Sequence, residues 1–523
     1  MASKGVLLRS ALAFCFARAA LGDVDGCTAL AVGKKATVEG STVTTHNNDC
    51  SLCDPRIAYV PARDHAEGAT RPLAPFRLEY PRYVGTDRSD LYRPMPGQKD
   101  TVPVGHVAQV PHTYAYWEGT YPLVNEHGLG MGESTCSSKL IGVANTAGGT
   151  ALFSVSELMK IGMERCKTSR CAIQVMGDLA VEHGFFGEDP GQGGAGEAVT
   201  LADRDESWVF HVTAGLNGSS ATWVAQRVPD DHIAIIANHF GIKKVNCKES
   251  DTFMCSPNIF SNARAANLCS FETDEDFDFL GCYAPDIRTF SYMAGYAPIP
   301  YYTTLRLWRI HSLATQNDHL TVTNNPFDYA FSVPVAGKIS VETIMNYTRD
   351  HYADTDYDMT KGVLSGTFGN PNRLEGGVGM QEIRGQFARG FSIPRTSYSV
   401  VVQSRHPPER SIAWLAADQP MTSVFVPFVA SAKRAAAFYQ TGQQEIFSRD
   451  CAWWAFNFVS NWMTINFQDM MAMHVGPKIK EQQDIIMKAV KTLDEQWPES
   501  DMILEEVQIG LQEHLVGERF GWH

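Results

Sequence analysis

Three strand-forming runs follow one another with only short turns between them: SWVFHVTAG at 207–215, ATWVAQRV at 221–228 and HIAIIANHF at 232–240. Each is rich in β-branched and aromatic residues, which suit a pleated, packed surface, so this region builds a sheet. Ahead of it, residues 155–184 place Leu158, Ile161, Ile173, Met176 and Leu179 at helical spacing, predicting two helices broken near KTSR. Further helical patterns cover 340–352, 428–475 and 477–515, the last divided by Pro498. Strand signals also occur at SYSVVVQS and SIAWLAA. Residues 54–116 read as extended strands and loops, and GEDPGQGGAGEA at 187–198 as a flexible loop. The sum is an α+β body with a helical C-terminal region and no short internal repeat.

A second hairpin pattern stands near the N-terminus. TALAVG at 28–33 and STVTTH at 41–46 flank a segment whose Gly40 suits a turn, and Cys27 heads the first strand. The residues before it, MASKGVLLRSALAFCFARAALG, have a basic start, an apolar stretch and small residues at Ala20 and Gly22. That is the layout of an export signal over 1–22, leaving 23–26 as a short propeptide. Removing Cys15 with the leader and setting Cys27 aside leaves ten of the twelve cysteines, an even number that permits five disulfides. Cys50 and Cys53 lack a second pair with zinc-ligand spacing and are read as a disulfide. The sequons at Asn217 and Asn346 fit a secretory route.

The formal charge of −14 and the absence of a Lys/Arg block argue against a nucleic-acid partner. The acidic run ETDEDFD at 272–278 reads as a solvated loop. No apolar run past the leader reaches the roughly 18 residues that span a bilayer. The glycines 128, 130 and 132 lack the phosphate-loop pattern and indicate close backbone approach instead.

An exposed N-terminal cysteine carries both a thiol and a base. Its α-amine, titrating near pH ~8, can accept the thiol proton and return it to a leaving amine. CTALAVGKKATVEGST followed by NND resembles the start of the dipeptidase A family of cysteine peptidases, relatives of the secernins within the N-terminal nucleophile hydrolases. The resemblance continues through VNEHGLGMGEST, ERCKTSRCAIQVMGDLAVEHG, DESWVFHV, ATWVAQRVPDDHIAIIANHF, LRLWRIHSL and IAWLAADQPMTSVFVPF.

It implies a four-layer αββα sandwich, an N-terminal nucleophile hydrolase domain over 27–475 and a helical extension over 476–523 packed on it. It also implies hydrolysis of short unblocked peptides through a thioester, without metal or organic cofactor. Carried across, Cys27 is the nucleophile, Asp49 holds the α-amine, Asn238 offers an amide to the oxyanion and Arg306 lies near the thiol. The backbone of Glu133 to Thr135 is a second source of oxyanion donors. His46 and Asn48 are the expected substrate contacts, although the family has Arg-Asn-Glu-Asp where this chain has His46-Asn47-Asn48-Asp49, so an imidazole replaces a permanent cation.

Two other functions compete. An amidase of the same fold would act on N-acyl amides, using the aromatic stretch 283–308 as its acyl pocket. A non-catalytic secreted protein would hold Cys27 in a disulfide. The peptidase is expected along the secretory route, outside the cell or in a lysosome-like or vacuole-like compartment, as a monomer or homo-oligomer.

Overall fold

The computed structural model describes residues 26–50, 52–187, 195–286, 301–373, 388–497 and 501–521. The expected signal peptide and, Gly26 apart, the propeptide lie outside them, as does most of the 187–198 loop.

The protein is mixed α+β. Its seven-stranded sheet runs, in spatial order, Ser332–Pro334, His232–Ile236, Ala29–Val32, Thr42–Asp49, Thr396–Ser404, Ile412–Ala417 and Val426–Val429. The eight-stranded sheet runs Phe253–Cys255, Ala221–Val228, Ser207–Ala214, Ala195–Ala202, Gly130–Ser137, Pro122–Asn125, Tyr116–Glu118 and Ala58–Val60. The predicted N-terminal hairpin is present, with Ala31 opposite Thr44 and Val32 opposite Val43. Gly40 sits in its turn at φ 69°, a conformation that favours glycine.

The three strand-forming runs between 207 and 240 divide between the sheets. Ser207–Ala214 and Ala221–Val228 pair with each other, whereas His232–Ile236 pairs with Ala29–Val32. Ile233 and Ile235 pack in one apolar cluster and Ala234 and Ile236 in another, so this strand is apolar on both sides, as a covered central strand must be.

Small hydroxyl residues hold the two sheets face to face. The hydroxyls of Thr44 and Thr200 meet at 2.7 Å, Ser207 donates to the Val32 carbonyl at 2.7 Å, and Ser404 donates to the Ala202 carbonyl at 3.0 Å. Gly132 fits here because a Cβ would fall 2.1 Å from the Thr45 carbonyl oxygen, which is the close approach its sequence indicated.

Helices Val155–Arg165 and Ser169–His183 cover the eight-stranded sheet, burying Leu158, Ile161, Ile173 and Met176 with Phe210 and Trp223. Thr168 caps the second by accepting from the Cys171 amide, which explains the break near KTSR. Helices Thr304–Thr315, Val341–Arg349 and Ala452–Met463 share the cluster of Ile310, Ile344, Val400, Trp414 and Phe456 on the other sheet.

Two expectations change. Ala195–Ala202 is a fully buried strand, not the end of a loop. Its small residues conceal it in the sequence and are needed where the sheets approach closely. The helix expected from 428 begins only at Ala452, because Val426–Val429 is a strand and the alanine-rich stretch after it has its backbone bonded to side chains of the C-terminal helix. Helices Gly476–Glu495 and Asp501–Gly521 flank the break assigned to Pro498, which itself lies outside the described residues.

Candidate active site

Cys27 lies just before the Ala29–Val32 strand, its side chain fully buried. Thr28 bridges Asn47 on the neighbouring strand, which anchors the cysteine to the sheet. The Cys27 carbonyl accepts from the Ser134 hydroxyl at 3.1 Å and from Arg306 Nη1 at 3.4 Å. Its backbone is therefore clamped between both sheets and the first turn of the Thr304–Thr315 helix.

Arg306 is the hub of this clamp. It donates to Thr28 Oγ1 at 2.7 Å, to Asn238 Oδ1 at 2.8 Å and to the Tyr302 carbonyl at 3.2 Å. Burial first, then the nearby Arg389, lowers its pKa to about 10. Asn238 follows the His232–Ile236 strand at φ 62°, a left-handed conformation that Asn tolerates better than most residues. Its amide N–H donates to Ser134 Oγ at 3.1 Å and its side-chain Nδ2 to the Thr135 carbonyl at 2.9 Å. Backbone and side chain of Asn238 are thus both fixed beside the backbone that carries the thiol.

Asp49 ends the Thr42–Asp49 strand and is fully buried. Its carboxylate accepts from Arg389 Nη2 and from the Thr396 hydroxyl. Burial pushes its pKa up, with Arg389 the strongest of the charges that pull it down. Arg389 also donates to Asn238 Oδ1 at 3.2 Å and to the Tyr302 hydroxyl, so it joins Asp49 to the Asn238–Arg306 pair. A Cβ on Gly26 would fall 2.3 Å from Arg389 Nη1 and 2.8 Å from the Tyr302 hydroxyl, so the peptide entering Cys27 passes directly over this network. Sequence reasoning missed Arg389, which stands in a stretch without periodicity or motif.

His46 and Glu133 converge on the thiol from opposite sheets. His46 Nε2 lies 3.4 Å from Glu133 Oε2, and one ligand-type atom from each of Cys27, His46 and Glu133 falls within 4.8 Å of the others. Tyr121 and Tyr398 pack edge-on against the imidazole at 5.1 and 5.9 Å. The Glu133 side chain was also missed, since only its backbone drew attention in the sequence. Asn48, two residues along the same strand and on the same face as His46, has its Nδ2 3.4 Å from Thr120 Oγ1 and 3.6 Å from the Cys53 sulfur.

The disulfides correct the cysteine arithmetic. Cys50–Cys53, Cys166–Cys171, Cys247–Cys255 and Cys269–Cys282 are bridged, while Cys27, Cys136 and Cys451 are buried thiols outside these bridges. An even count permitted five bridges, but Cys136 and Cys451 are set in separate parts of the fold. Among the described residues, none of these four bridges includes Cys27. Of the aromatic stretch proposed as an acyl pocket, residues 287–300 lie outside the described residues. Among the described residues, no helix is long and apolar enough to cross a membrane.

Several known proteins are similar to this chain along most of its length. A probable dipeptidase of Latilactobacillus sakei is 22% identical over 448 residues, covering 82% of this chain and 80% of its own. One from Salmonella dublin is 24% identical over 432 residues, covering 80% and 84%. A probable dipeptidase A of Streptococcus pyogenes serotype M1 is 21% identical over 442 residues, covering 82% and 79%. The family model described as peptidase family C69 matches residues 26–477, beginning one residue before the buried thiol, and the chain belongs to that family.

Proposed function

We propose that the chain is the precursor of a cysteine dipeptidase whose nucleophile is Cys27 after removal of the residues before it. The observation that carries this is the placement of Cys27: a buried thiol at the head of a central strand, its backbone clamped by Ser134 and Arg306. The family membership and the names of the relatives support the substrate class.

Cleavage before Cys27 turns its amide nitrogen into an amine next to the thiol. The sulfur attacks the peptide carbonyl while the amine takes the thiol proton. The oxyanion is met by the Asn238 amide and a backbone N–H of the Glu133–Thr135 segment, each such donor contributing roughly 3 kcal/mol. The amine then protonates the departing amino group, leaving a thioester that water hydrolyses with the same amine as base. Asp49 and Arg389 orient the new amine from the surface that Gly26 now covers. His46 lines the substrate position, with Asn48 behind it. The two facing sheets with helices on their outer sides support the four-layer αββα arrangement, and the four disulfides support an oxidising, secretory destination.

The test is N-terminal sequencing and intact mass of protein from an export-competent eukaryotic host, with assays on unblocked dipeptides and their N-acyl counterparts. The expected product begins at Cys27, cleaves only the unblocked peptides and is inactive as Cys27→Ser. Active protein that retains Gly26 would refute the amine-base mechanism.

A further inference from the structure

We propose that Cys27, His46 and Glu133 form a site for a divalent metal ion of the zinc class, whose occupancy excludes nucleophilic use of the thiol. Among the described residues, these three are the group of potential ligands brought within 4.8 Å of one another. All are buried, with relative exposures of 0%, 1% and 0%. Neither ring nitrogen of His46, nor Glu133 Oε2, has a hydrogen-bond partner. Buried polar atoms are ordinarily satisfied, so donor atoms left unsatisfied and aimed at one another call for a ligand.

The chemistry fits a borderline-soft cation. Zinc takes Cys sulfur, His nitrogen and carboxylate oxygen at about 2.0–2.3 Å in tetrahedral sites, which sets its ligands roughly 3.4–3.8 Å apart. The 3.4 Å between His46 and Glu133 already meets that spacing, and the sulfur, within 4.8 Å of both, needs to close by about 1.4 Å at most. Tyr121 and Tyr398 hold the imidazole edge-on and limit its rotation. Three protein ligands leave a fourth position for water.

Binding replaces the thiol proton by the metal, and the proton leaves to solvent. The sulfur lone pair is then committed to the metal, so metal occupancy and thioester formation exclude each other. The binding itself does not depend on the dipeptidase reading. Only the inhibition rests on it.

The test titrates purified full chain with Co²⁺, then displaces it with Zn²⁺. One Co²⁺ per chain is expected, with a thiolate-to-cobalt charge-transfer band that vanishes in Cys27→Ser. His46→Gln and Glu133→Gln each remove a direct ligand and are expected to weaken binding by more than the 10–100-fold typical of losing an outer-shell partner. Circular dichroism of the metal-free variants confirms their fold, and should Cys27→Ser misfold, the other two decide the question. Absence of the band, its persistence in Cys27→Ser, or unchanged affinity in the His46 and Glu133 variants would each overturn the site. Zinc that enhances dipeptide hydrolysis would overturn the exclusion. Metal binding in a chain inactive on dipeptides would retain the site while removing the proposed function.

Discussion

Arg306 sustains more of the site than any other side chain, because one guanidinium serves Thr28, Asn238 and the Cys27 and Tyr302 carbonyls together. Arg306→Met leaves these buried acceptors short of donors, and a loss of about 3 kcal/mol in unfolding free energy is expected by chemical denaturation. Asn238→Ala tests a different quantity. Its amide is held in place before any substrate binds, so its removal is expected to lower kcat by about 10²–10³-fold with KM little changed. Cys27, Asn238 and Arg306 were legible because each falls within a contiguous motif. Arg389 was not, because its partner Asp49 is 340 residues away and the bond between them is made only by folding. Glu133 was hidden differently, as its glycine-flanked segment directed attention to the backbone.

At the scale of elements, the edge of the seven-stranded sheet is closed by glutamines. Val426–Val429 is the last strand, and an open edge invites pairing with other chains. Gln508 accepts from the Val429 amide at 2.6 Å and donates to the Arg434 carbonyl at 2.7 Å. Gln512 accepts from the Ala436 amide at 2.8 Å and donates to the Pro427 carbonyl at 3.0 Å, while Gln483 donates to the Phe425 carbonyl at 3.1 Å. Positions 508 and 512 share a helix face, so Asp501–Gly521 acts as a cap that substitutes for a further strand. The double variant Gln508→Ala/Gln512→Ala is expected to lose about 2–4 kcal/mol of stability and to aggregate on heating, measured by calorimetry with light scattering. The helices themselves were legible from their apolar periodicity. The non-helical stretch 432–436 was not, because local alanine content favours a helix and the glutamines that bond its backbone lie 74 and 76 residues later in sequence.

For the whole molecule, folding buries several histidines where only the neutral form is accommodated. Burial pushes His211 down to about 3, and His239 and His311 down to about 4. For His211 the geometry agrees: its Nε2 accepts from the Gly241 amide at 2.9 Å, which a protonated ring could not do. An unfolded histidine takes up its proton near pH ~6.5, so between that value and the folded one the unfolded chain binds more protons. Stability therefore falls as pH drops through this window, by up to about 1.4 kcal/mol per pH unit for each histidine. The carboxyls of Asp54, Glu118 and Glu157 are held low despite burial by Arg82, Arg88 and Arg71 respectively. Their share is present above the ordinary carboxylate range and is lost below it, which extends the decline further into acid. The melting temperature is accordingly expected to fall steadily from pH 7 to pH 4, with the histidines acting before the carboxylates. In His211→Gln, whose amide oxygen can still accept from Gly241, the slope between pH 6.5 and 4 is expected to be shallower. An unchanged slope in that variant would mean that His211 is not held neutral by the fold. A melting temperature that rises into acid would contradict the whole set of buried histidines.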